Sequence, residues 1–533
     1  MIDSDLGRIE ISDVPLPDEV KDATATYTSS GTVFLLYRTE TDPEADWYHA
    51  AVTNDDGSDF RRIFSGAIPQ HATANGIRHM MFRDNRRVLL GDYVLECSPD
   101  LDSCTSAVLV DVDYPWQLED NPLVSHHWSE VILAPDDEHI AWTILRTDMG
   151  ADAALGRLRR TSDRYIIEDP QLISTTEDLL PDPDEPGYLR PQPMRGGEVK
   201  QFVRGGTAIS IVGAVDGLLP DSVVQDLAGE NLEQVTRTPG YDETTIFSPD
   251  ERLGIVMSSR FSTGTDPAVL GLLPRPHAAL TGTGLAWAVY TYTVTGVRQW
   301  RSGNVGPVLI DVQRSRDEPG YQGVPLTSVD EEWVYLSPMS WHPDGRHILW
   351  PEMRRGTERP GQARQVRLRR AELLDHRPHP AVPLRPTPTQ IPYALRGTEA
   401  ERAVRRPVSA AVNGRIAGQH CGHLAYERCS EEGPGGRTVT ITSRYVDFSD
   451  DGRRFYNGQE RVRTSFVEDT VYQADLELSG ADSGQMQLRA TWSPLAGPAP
   501  ATLRFEPAED GLPMSHGFAR YRGRTLRIDD LLA

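Results

Sequence analysis

Lysine is nearly absent from this chain. Of its 54 basic residues only Lys21 and Lys200 are lysines, and all the others are arginines. A mechanism that forms a Schiff base on lysine, or uses lysine as a general base, must therefore employ one of these two positions. Acidic residues outnumber basic ones by 78 to 54, which gives a formal net charge of −24. Such a chain repels a phosphate backbone, so nucleic acid is not expected as a partner.

The chain is also poor in cysteine, with four residues in two close pairs. Cys97 and Cys104 form one pair, and Cys421 and Cys429 form the other. Cysteines this close in sequence are typical of short-loop disulfides, so we expect a disulfide in each pair. Residues 1–20 are acidic and lack the apolar core of a signal peptide. The cysteine pairs favour a periplasmic or secreted protein whose signal peptide is absent from this chain, and the alternative is a cytoplasmic protein.

The second cysteine pair has a competing interpretation as a zinc site. His420, Cys421, His423 and Cys429 place four metal-ligating side chains within ten residues. Standard zinc knuckles use Cys-x-x-Cys or His-x₃₋₅-His, and this segment has neither spacing. We therefore favour a Cys421–Cys429 disulfide with two bystander histidines.

Long apolar runs are absent with one exception. His277–Val297 contains no Asp, Glu, Lys or Arg and approaches the length of a membrane span, roughly 20 residues. Five threonines and three glycines dilute it, so we favour a buried or mouth-capping insertion over a span or an interfacial anchor. Its aromatic residues Trp287, Tyr290 and Tyr292 could also form a lid or a hydrophobic subsite, or contact a membrane or an apolar ligand.

The chain does contain a repeated phrase built on a Pro-Asp turn. Leu133–Trp142 reads LAPDDEHIAW, Phe247–Met257 reads FSPDERLGIVM and Trp341–Trp350 reads WHPDGRHILW. Each phrase is the end of a strand, a tight turn and an alternating second strand. Four-stranded units repeated about every 40 to 50 residues indicate a β-propeller, because one such sheet cannot bury both of its faces alone.

Strand–turn–strand units mark out six candidate blades, with a seven-bladed ring as the alternative if the terminal strands complete another blade. The six candidates are Thr32–Phe64, Arg78–Asp113, His126–Thr175, Glu198–Thr238, Tyr241–Thr327 and Trp333–Val382. We therefore predict an all-β chain with a propeller over residues 1–385, interrupted by the apolar insertion at about 268–300.

A second β-domain is predicted over residues 390–533. The Pro-rich stretch Asp375–Pro388 is typical of a linker. Beyond it, Arg437–Asp447, Thr470–Leu478 and Gln485–Trp492 alternate apolar and polar residues with a period of two. We expect a C-terminal antiparallel β-sandwich or small barrel.

The turn segments Phe247–Asp250 and Trp341–Gly345 resemble the inner-strand signature of TolB-like propellers. The same signature occurs in the propellers of prolyl oligopeptidase-type enzymes and of oligogalacturonate lyases. The resemblance implies an exported binding protein in the first case, a hydrolase in the second, and in the third a lyase whose histidines bind manganese at the propeller mouth.

The hydrolase version is not expected here. A serine hydrolase of that type needs a Gly-x-Ser-x-Gly nucleophile elbow on alternating strands and helices. The chain has no such pentapeptide, and residues 390–533 read as antiparallel β-structure. A serine peptidase is therefore excluded from the expected functions.

Polar residues at the entrance of the innermost strands would line the channel mouth. Alignment of the blades on Pro135, Pro249 and Pro343, with Asp84 in the second blade, places a ring of such residues five to nine positions before the turn. The ring comprises His79, His127 with His126, Glu130, Asp242, Glu243, Ser337 and Glu198.

The ring residues could simply be solvated, and two kinds of chemistry are the alternatives. His79, His127, Glu130, Asp242 and Glu243 could bind one divalent metal ion such as Mn²⁺, Ca²⁺ or Zn²⁺. Glu130 and Glu243 could instead act as acid and base on a glycosidic bond. His342 lies next to a turn and away from the mouth, so we expect it to be a surface turn residue rather than a ligand.

The leading functional hypothesis is a binding or scaffold propeller of the cell envelope or secreted space. It would engage a small molecule, a saccharide or a protein at the channel mouth. The alternative is a metal-dependent polysaccharide lyase or glycoside-cleaving enzyme that uses the His/Glu/Asp ring.

Overall fold

The computed structural model describes most of the chain. The described residues are 1–70, 76–116, 118, 121, 124–146, 150–175, 179–192, 197–213, 217–229, 231–262, 264–327, 332–357, 363–406, 411–433, 436–497 and 499–531. Strands account for 49% of the structure and helices for 9%. The prediction of an all-β protein is confirmed.

Six antiparallel units follow one another along the first part of the chain, and the second and third are joined by a short parallel pairing of Val112 with Tyr165 and Asp113 with Ile166. The first has strands Lys21–Tyr27, Val33–Arg38, Trp47–Thr53 and Arg61–Ala67. The second has His79–Met81, Arg87–Leu90, Tyr93–Ser98 and Ser106–Asp113. In the third, Val124–His126 and Val131–Leu133 both pair with His139–Arg146, and Ala151–Arg160 and Tyr165–Ser174 follow.

The remaining three sheets have the same meander. The fourth has Val199–Val203, Ala208–Gly213, Asp221–Asp226 and Leu232–Gln234. The fifth has Asp242–Phe247, Leu253–Ser258, Val308–Asp311 and Val324–Pro325. In the sixth, Trp333–Tyr335 and Ser340–Trp341 pair with His347–Arg354, followed by Val366–Leu373, Gly7–Val14 and Ile2–Ser4. A short hairpin of Leu179–Pro181 and Leu189–Pro191 lies between the third and fourth sheets in sequence.

The innermost strands of the six sheets form a closed ring. The first strand of each sheet contacts the first strand of the next, and those of the sixth sheet contact Lys21–Tyr27 of the first. Buried aliphatic side chains fill the space between neighbouring sheets, as Leu35 packs with Leu349 and Leu368 of the sixth sheet. Consecutive four-stranded sheets around a ring are the arrangement of a β-propeller.

The N-terminal segment completes the sixth sheet. Gly7–Val14 pairs antiparallel with Val366–Leu373, with Ile9 opposite Leu373. The N-terminal strand therefore pairs with a strand that lies far from it in sequence. Sequence reasoning missed both this strand and Lys21–Tyr27, the innermost strand of the first sheet.

The Pro-Asp turns have one shared geometry. In the third sheet, the Asp136 carboxylate accepts hydrogen bonds from the backbone N–H groups of Glu138 and His139, both at 2.9 Å. Asp344 accepts from the Arg346 N–H at 2.8 Å in the sixth sheet. One position has a positive φ, which favours Gly and Asn, both in the Pro-Asp turns and in the corresponding turns of the first two sheets. These positions are Gly31, Asn85, Asp137, Glu251 and Gly345.

The apolar insertion is helical and lies between the second and third strands of the fifth sheet. Its segments are Ala268–Gly271, Ala278–Gly282, Ala286–Tyr290, the π-helical turn Thr291–Thr295 and Gly296–Gln299. Among the described residues, no helix combines the length and the apolar character needed to cross a bilayer. Other helical segments are Val312–Asp317 and Gly397–Arg405, with 3₁₀ turns at Arg204–Gly206 and Ile528–Leu531.

The C-terminal strands form one eight-stranded antiparallel sheet in sequence order. They are Ala411–Ala417, Cys421–Gly433, Gly436–Ser449, Arg454–Ser465, Thr470–Gly480, Gly484–Trp492, His516–Tyr521 and Arg524–Arg527. Before this sheet, Leu395–Arg396 pairs with Tyr165–Ser174, and Ala400 and Val404 pack into the core between the second and third sheets.

One of the two expected disulfides is present. Cys97 and Cys104 are bonded, with their Cα atoms 5.5 Å apart. Cys421 and Cys429 are free, and the prediction of a disulfide between them is wrong. Both lie in the strand Cys421–Gly433, eight residues apart. An extended chain rises about 3.3 Å per residue, which separates the two by about 26 Å. The same separation rules out one zinc ion held by His420, Cys421, His423 and Cys429 together.

Candidate functional site

Five charged side chains converge at the entrance end of the ring. We call Arg78, Glu130, Glu198, Lys200 and Glu243 the mouth cluster. The Lys200 ammonium donates to all three carboxylates, at 3.2 Å to Glu130, 2.8 Å to Glu198 and 3.2 Å to Glu243. The Arg78 guanidinium adds a bond of 2.8 Å to Glu130. Two cations and three carboxylates leave a formal charge of −1.

The cluster forms because each member lies at the start of an innermost strand. Arg78 directly precedes His79–Met81 of the second sheet, and Glu130 precedes Val131–Leu133 of the third. Glu198 and Lys200 flank Val199, so the period of two in a strand turns both toward the channel. Because innermost strands surround the axis, residues from four different sheets meet there.

Opposite charges decide the protonation of this cluster. Burial disfavours a charged Lys200, but its three carboxylate partners outweigh burial and raise its pKa well above the ordinary value. Burial would raise the pKa of Glu198, but the Lys200 charge and hydrogen bond lower it overall. The raised pKa favours the ammonium form of Lys200, whereas a Schiff-base nucleophile or a general base must be a neutral amine.

Glu130 and Glu243, the pair predicted for acid–base catalysis, do lie close together. Each places an Oε1 atom 3.2 Å from the Lys200 Nζ, and Glu243 also accepts a 2.6 Å hydrogen bond from the Tyr241 hydroxyl. Both carboxylates thus accept a hydrogen bond from the same ammonium, whereas glycosidic cleavage needs one carboxylic acid that donates to the leaving oxygen. The geometry favours a charge network over an acid–base pair.

The histidines of the predicted ring have other partners. His79 is 3% exposed, and its two ring nitrogens lie 3.1 Å from the hydroxyls of Thr26 and Thr24. Burial, with the Arg78 charge, lowers the pKa of His79 to about 3, so the ring is neutral. His127 Nε2 lies 3.0 Å from the Asp92 carboxylate, which also accepts from the Trp128 indole. The side chain of His126 lies outside the described residues.

Asp242 belongs to a separate acidic cluster. It is fully buried, paired with Arg260, and accepts a 2.9 Å hydrogen bond from Thr238. Burial and the Asp242 charge raise the pKa of nearby Asp221 well above its ordinary value, and the same two causes raise that of Asp266 to about 6. The structure therefore brings together Glu130, Glu243 and Glu198 of the predicted ring, and places His79, His127 and Asp242 in other hydrogen-bonded settings.

Ser337 also reaches the mouth. Its hydroxyl accepts a 3.3 Å hydrogen bond from Arg78. The sixth sheet therefore contributes to the same site.

The helical insertion covers the mouth cluster. The Tyr290 hydroxyl lies within electrostatic range of Glu243, Glu198 and Arg78, and burial raises its pKa to about 12. Arg298 donates to the backbone carbonyl of Tyr335, next to the cluster. The cluster keeps some access to solvent, since side-chain exposure is 23% at Glu198 and 14% at Glu130.

The C-terminal sheet packs on the other side of the insertion. Arg275 forms an ion pair with Glu460 at 2.6 Å, and both side chains are at most 1% exposed. Tyr472 accepts from Arg275 and donates to Glu460, both at 2.9 Å. Thr281 lies 2.8 Å from the Ser443 hydroxyl. Gly284 packs so closely that an added Cβ would lie 2.6 Å from Val462.

The insertion is thus buried within the molecule, as the favoured sequence interpretation predicts. Tyr292 is 2% exposed and stacks under the Arg301 guanidinium. Trp287 is half-buried and its ring contacts that of Phe466, which directly follows the strand Arg454–Ser465. A membrane or apolar-ligand contact through residues 277–297 would have to use its partly exposed positions, such as Ala286 and Trp287.

Sequence reasoning missed the two cations of the mouth cluster, Arg78 and Lys200. A usable signal was present. Lys200 is one of two lysines in 533 residues, and it lies two residues after Glu198, which was predicted to line the mouth. Arg78 offers no comparable signal in a chain with so many arginines.

Within the described ranges, one group of three His, Cys, Asp or Glu side chains has ligand atoms within 4.8 Å of one another. It consists of His342, Asp344 and His347. The group lies at the Pro-Asp turn of the sixth sheet, at the opposite end of the innermost strands from the mouth cluster.

Comparison with known proteins gives similarity at the level of the fold. No protein-family model matches the chain. No curated protein matches it at a significant level. Among solved structures, a TolB candidate from Agrobacterium tumefaciens is 14% identical with a TM-score of 0.30, over 55% of this chain and 73% of that chain.

Two further structures have comparable similarity. TolB from Acinetobacter baumannii is 11% identical with a TM-score of 0.30, over 67% of this chain and 65% of that chain. An uncharacterized protein from Listeria monocytogenes is 10% identical with a TM-score of 0.28, over 64% of this chain and 94% of that chain. The β-propeller predicted from the turns agrees with the ring of sheets described above.

Proposed function

We propose that this protein is a non-catalytic binding or scaffold propeller that engages a ligand or protein partner at the channel mouth. The observation that carries the proposal is the Lys200 ammonium bound by three glutamates. The ion pairs with Lys200 hold the three carboxylates in place. The remaining negative charge and the partial exposure of Glu198 suit a cationic or hydrogen-bond-donating group on the bound molecule.

The architecture supports a scaffold. Each of the six sheets is proposed to be one blade, with the N-terminal strand closing the ring. The propeller is proposed to span residues 1–385 with the insertion at about 268–300, and the C-terminal β-domain residues 390–533. Within that second region, Gly397–Arg405 packs on the propeller, and the strands of the C-terminal sheet begin at Ala411.

An enzyme is the second candidate, because Glu130 and Glu243 do meet at one point. Assays of the wild type and a Glu130→Gln/Glu243→Gln variant on oligogalacturonates and aryl glycosides, with and without Mn²⁺, separate the candidates. The scaffold proposal expects equal background rates. Turnover by the wild type that the double variant lacks would replace the scaffold proposal with the enzyme.

Site-specific photo-crosslinking tests the binding surface. Benzoylphenylalanine at Ser337, beside Arg78, should yield a crosslinked complex of defined mass in producing cells, and the added Glu198→Arg change should abolish it. The matched control is the same probe at Arg164, an exposed residue between outer strands of the third sheet. Equal adducts from both positions, or none from Ser337, would contradict binding at the mouth.

The proposed location is the periplasm or the secreted space. The Cys97–Cys104 disulfide supports it, because such bonds persist in oxidising compartments. Thiol mapping of protein from its native host should find this bond together with free thiols at Cys421 and Cys429. Four free thiols would contradict export.

A further inference from the structure

The turn of the sixth sheet gathers three metal-ligating side chains. His342 Nδ1 lies 3.0 Å from Asp344 Oδ1, and His347 Nδ1 lies 2.8 Å from Asp344 Oδ2. Side-chain exposure is 21% for His342, 36% for Asp344 and 17% for His347. The three are thus held in a fixed arrangement that solvent can still reach. From this geometry we propose that the turn binds one divalent transition-metal ion, of which Zn²⁺ is the probe.

The donor types fit such an ion. Two imidazole nitrogens and one carboxylate oxygen suit Zn²⁺ and its neighbours, whereas Ca²⁺ and Mg²⁺ prefer oxygen ligands. Three protein ligands leave a fourth position for water. The proposal goes beyond the binding function at the mouth, from which this turn is separated by the length of the innermost strands.

One of the two histidines is already in the tautomer that a metal requires. The Asp344 backbone N–H donates to His342 Nδ1 at 3.0 Å, so this nitrogen carries a lone pair. An N–H in a turn is a weak competitor for that lone pair, because water can satisfy it instead. Gly31 makes room for the ring, since a Cβ there would lie 2.3 Å from His342 Nε2.

The second histidine needs one proton to move. His347 Nδ1 faces the Asp344 carboxylate at 2.8 Å and therefore holds the proton. Metal binding would shift this proton to Nε2, which lies 3.7 Å from the Glu372 carboxylate, so Glu372 would have to move slightly to accept it within hydrogen-bond distance. A carboxylate that accepts the second N–H of a metal-bound imidazole orients the ring and raises its basicity. Glu372 is thus a positioning residue for the site.

Comparison with the equivalent turns of the third and fifth sheets, the sister turns, distinguishes the metal site from ordinary turn structure. In the third sheet, Asp136 and His139 form the same contact at 2.7 Å, but Ala134 stands where the sixth sheet has His342. In the fifth sheet the corresponding residues are Ser248, Asp250 and Leu253. The Asp–His contact alone is therefore a repeated structural element, and His342 is the third donor that makes this turn different.

Isothermal titration of the full chain with ZnCl₂ tests the proposal. The wild type should bind one ion at this site, and His342→Ala and His347→Leu should each weaken that binding at least tenfold. Both substitutions introduce the residue found in a sister turn, so the fold should tolerate them, and circular dichroism checks this. Glu372→Gln should weaken binding by about tenfold, as outer-shell changes do.

The control is His139→Leu, which removes the two-donor contact of the third sheet and should leave zinc affinity and stoichiometry unchanged. No zinc binding by the wild type would overturn the proposal. So would binding that is unaffected by both His342→Ala and His347→Leu, since the ion would then lie elsewhere on the chain.

Discussion

At the contact between the insertion and the C-terminal sheet, one arginine faces one glutamate, whereas at the channel mouth two cations face three carboxylates. Arg275 and Glu460 are at most 1% exposed, and Tyr472 uses the remaining hydrogen-bonding capacity. The mouth cluster carries an excess negative charge and keeps Glu198 23% exposed. The Arg275–Glu460 pair is charge-balanced and buried, so its role is to stabilise the contact between the insertion and the C-terminal sheet. The mouth cluster has an excess negative charge and is partly exposed, so one of its contacts can be replaced by a ligand.

A third cluster extends the comparison. Asp242 pairs with Arg260, and its charge also acts on Asp221 and Asp266. In this third cluster, carboxylates outnumber the arginine and lie away from solvent. The result is raised pKa values at Asp221 and Asp266, because burial disfavours the charged form.

The largest effect is expected from breaking the balanced pair. Glu460→Leu would leave the Arg275 guanidinium buried without a counter-charge, and should lower the free energy of unfolding by about 4 kcal/mol. Adding Arg275→Met should recover most of this loss, because a buried pair replaced by apolar residues is nearly neutral. Urea denaturation measures both.

The exposed pair Arg159–Glu168 is the control for that experiment. Arg159→Ala should change the free energy of unfolding by less than about 1 kcal/mol. A Glu460→Leu variant as stable as this control would show that the insertion is not held by the Arg275–Glu460 pair.

Removal of the central cation at the mouth should have the next largest effect. Lys200→Met leaves three glutamates and Arg78, and should cost about 3 kcal/mol at pH 7. The lowered pKa of Glu198 in the wild type means that its contribution is present above its unfolded pKa and is lost as the pH falls through the folded pKa.

In the Lys200→Met variant, the pKa values of the carboxylates are expected to shift in the opposite direction. Burial and mutual repulsion raise the carboxylate pKa values, so these groups take up protons on mild acidification. The stability deficit of Lys200→Met should therefore shrink between pH 7 and pH 5 in urea titrations. A deficit independent of pH would show that Lys200 acts through packing and not through its charge.

Asp266 tests the third cluster. Its pKa in the folded protein is about 6, above the ordinary 3.8. Its stabilising contribution is therefore full below pH 3.8 and is lost as the pH rises through 6. Relative to the wild type, Asp266→Asn should gain about 2 kcal/mol of stability between pH 4 and pH 7. The exposed Asp163→Asn should show no such gain, and a flat difference for Asp266→Asn would exclude a buried neutral carboxyl.

The smallest effect is expected at the most exposed member of the mouth cluster. Glu198→Gln keeps the side-chain shape, and Lys200 retains Glu130 and Glu243, so the cost should be about 1 kcal/mol. Differential scanning calorimetry of this variant beside Lys200→Met checks the ranking. Equal losses of stability in the two variants would mean that Glu198 is as essential to the fold as Lys200. Glu198 could then not be the contact that a ligand replaces.

The sheets could be predicted from sequence wherever a turn and a period of two coincide. The segments around Pro135, Pro249 and Pro343 form strand–turn–strand units as predicted, because their signals are local. Gly7–Val14 could not be placed, since its partner Val366–Leu373 is more than 350 residues away and no local pattern specifies such pairing. The Cys421–Cys429 disulfide was predicted because the two cysteines are close in sequence. Both lie in one extended strand, so they are far apart in space.

For the site, the amino-acid sequence by itself determined which positions begin the innermost strands, and thereby that Glu130, Glu198 and Glu243 face one channel. It also determined that the insertion is too apolar to face water. Only the tertiary structure decided that Lys200 would lie among those glutamates and that the C-terminal sheet would cover the insertion. The physical reason is that both results depend on residues from different sheets, or from regions nearly 200 residues apart such as Arg275 and Glu460. Their charges and surfaces acquire partners only when the ring closes.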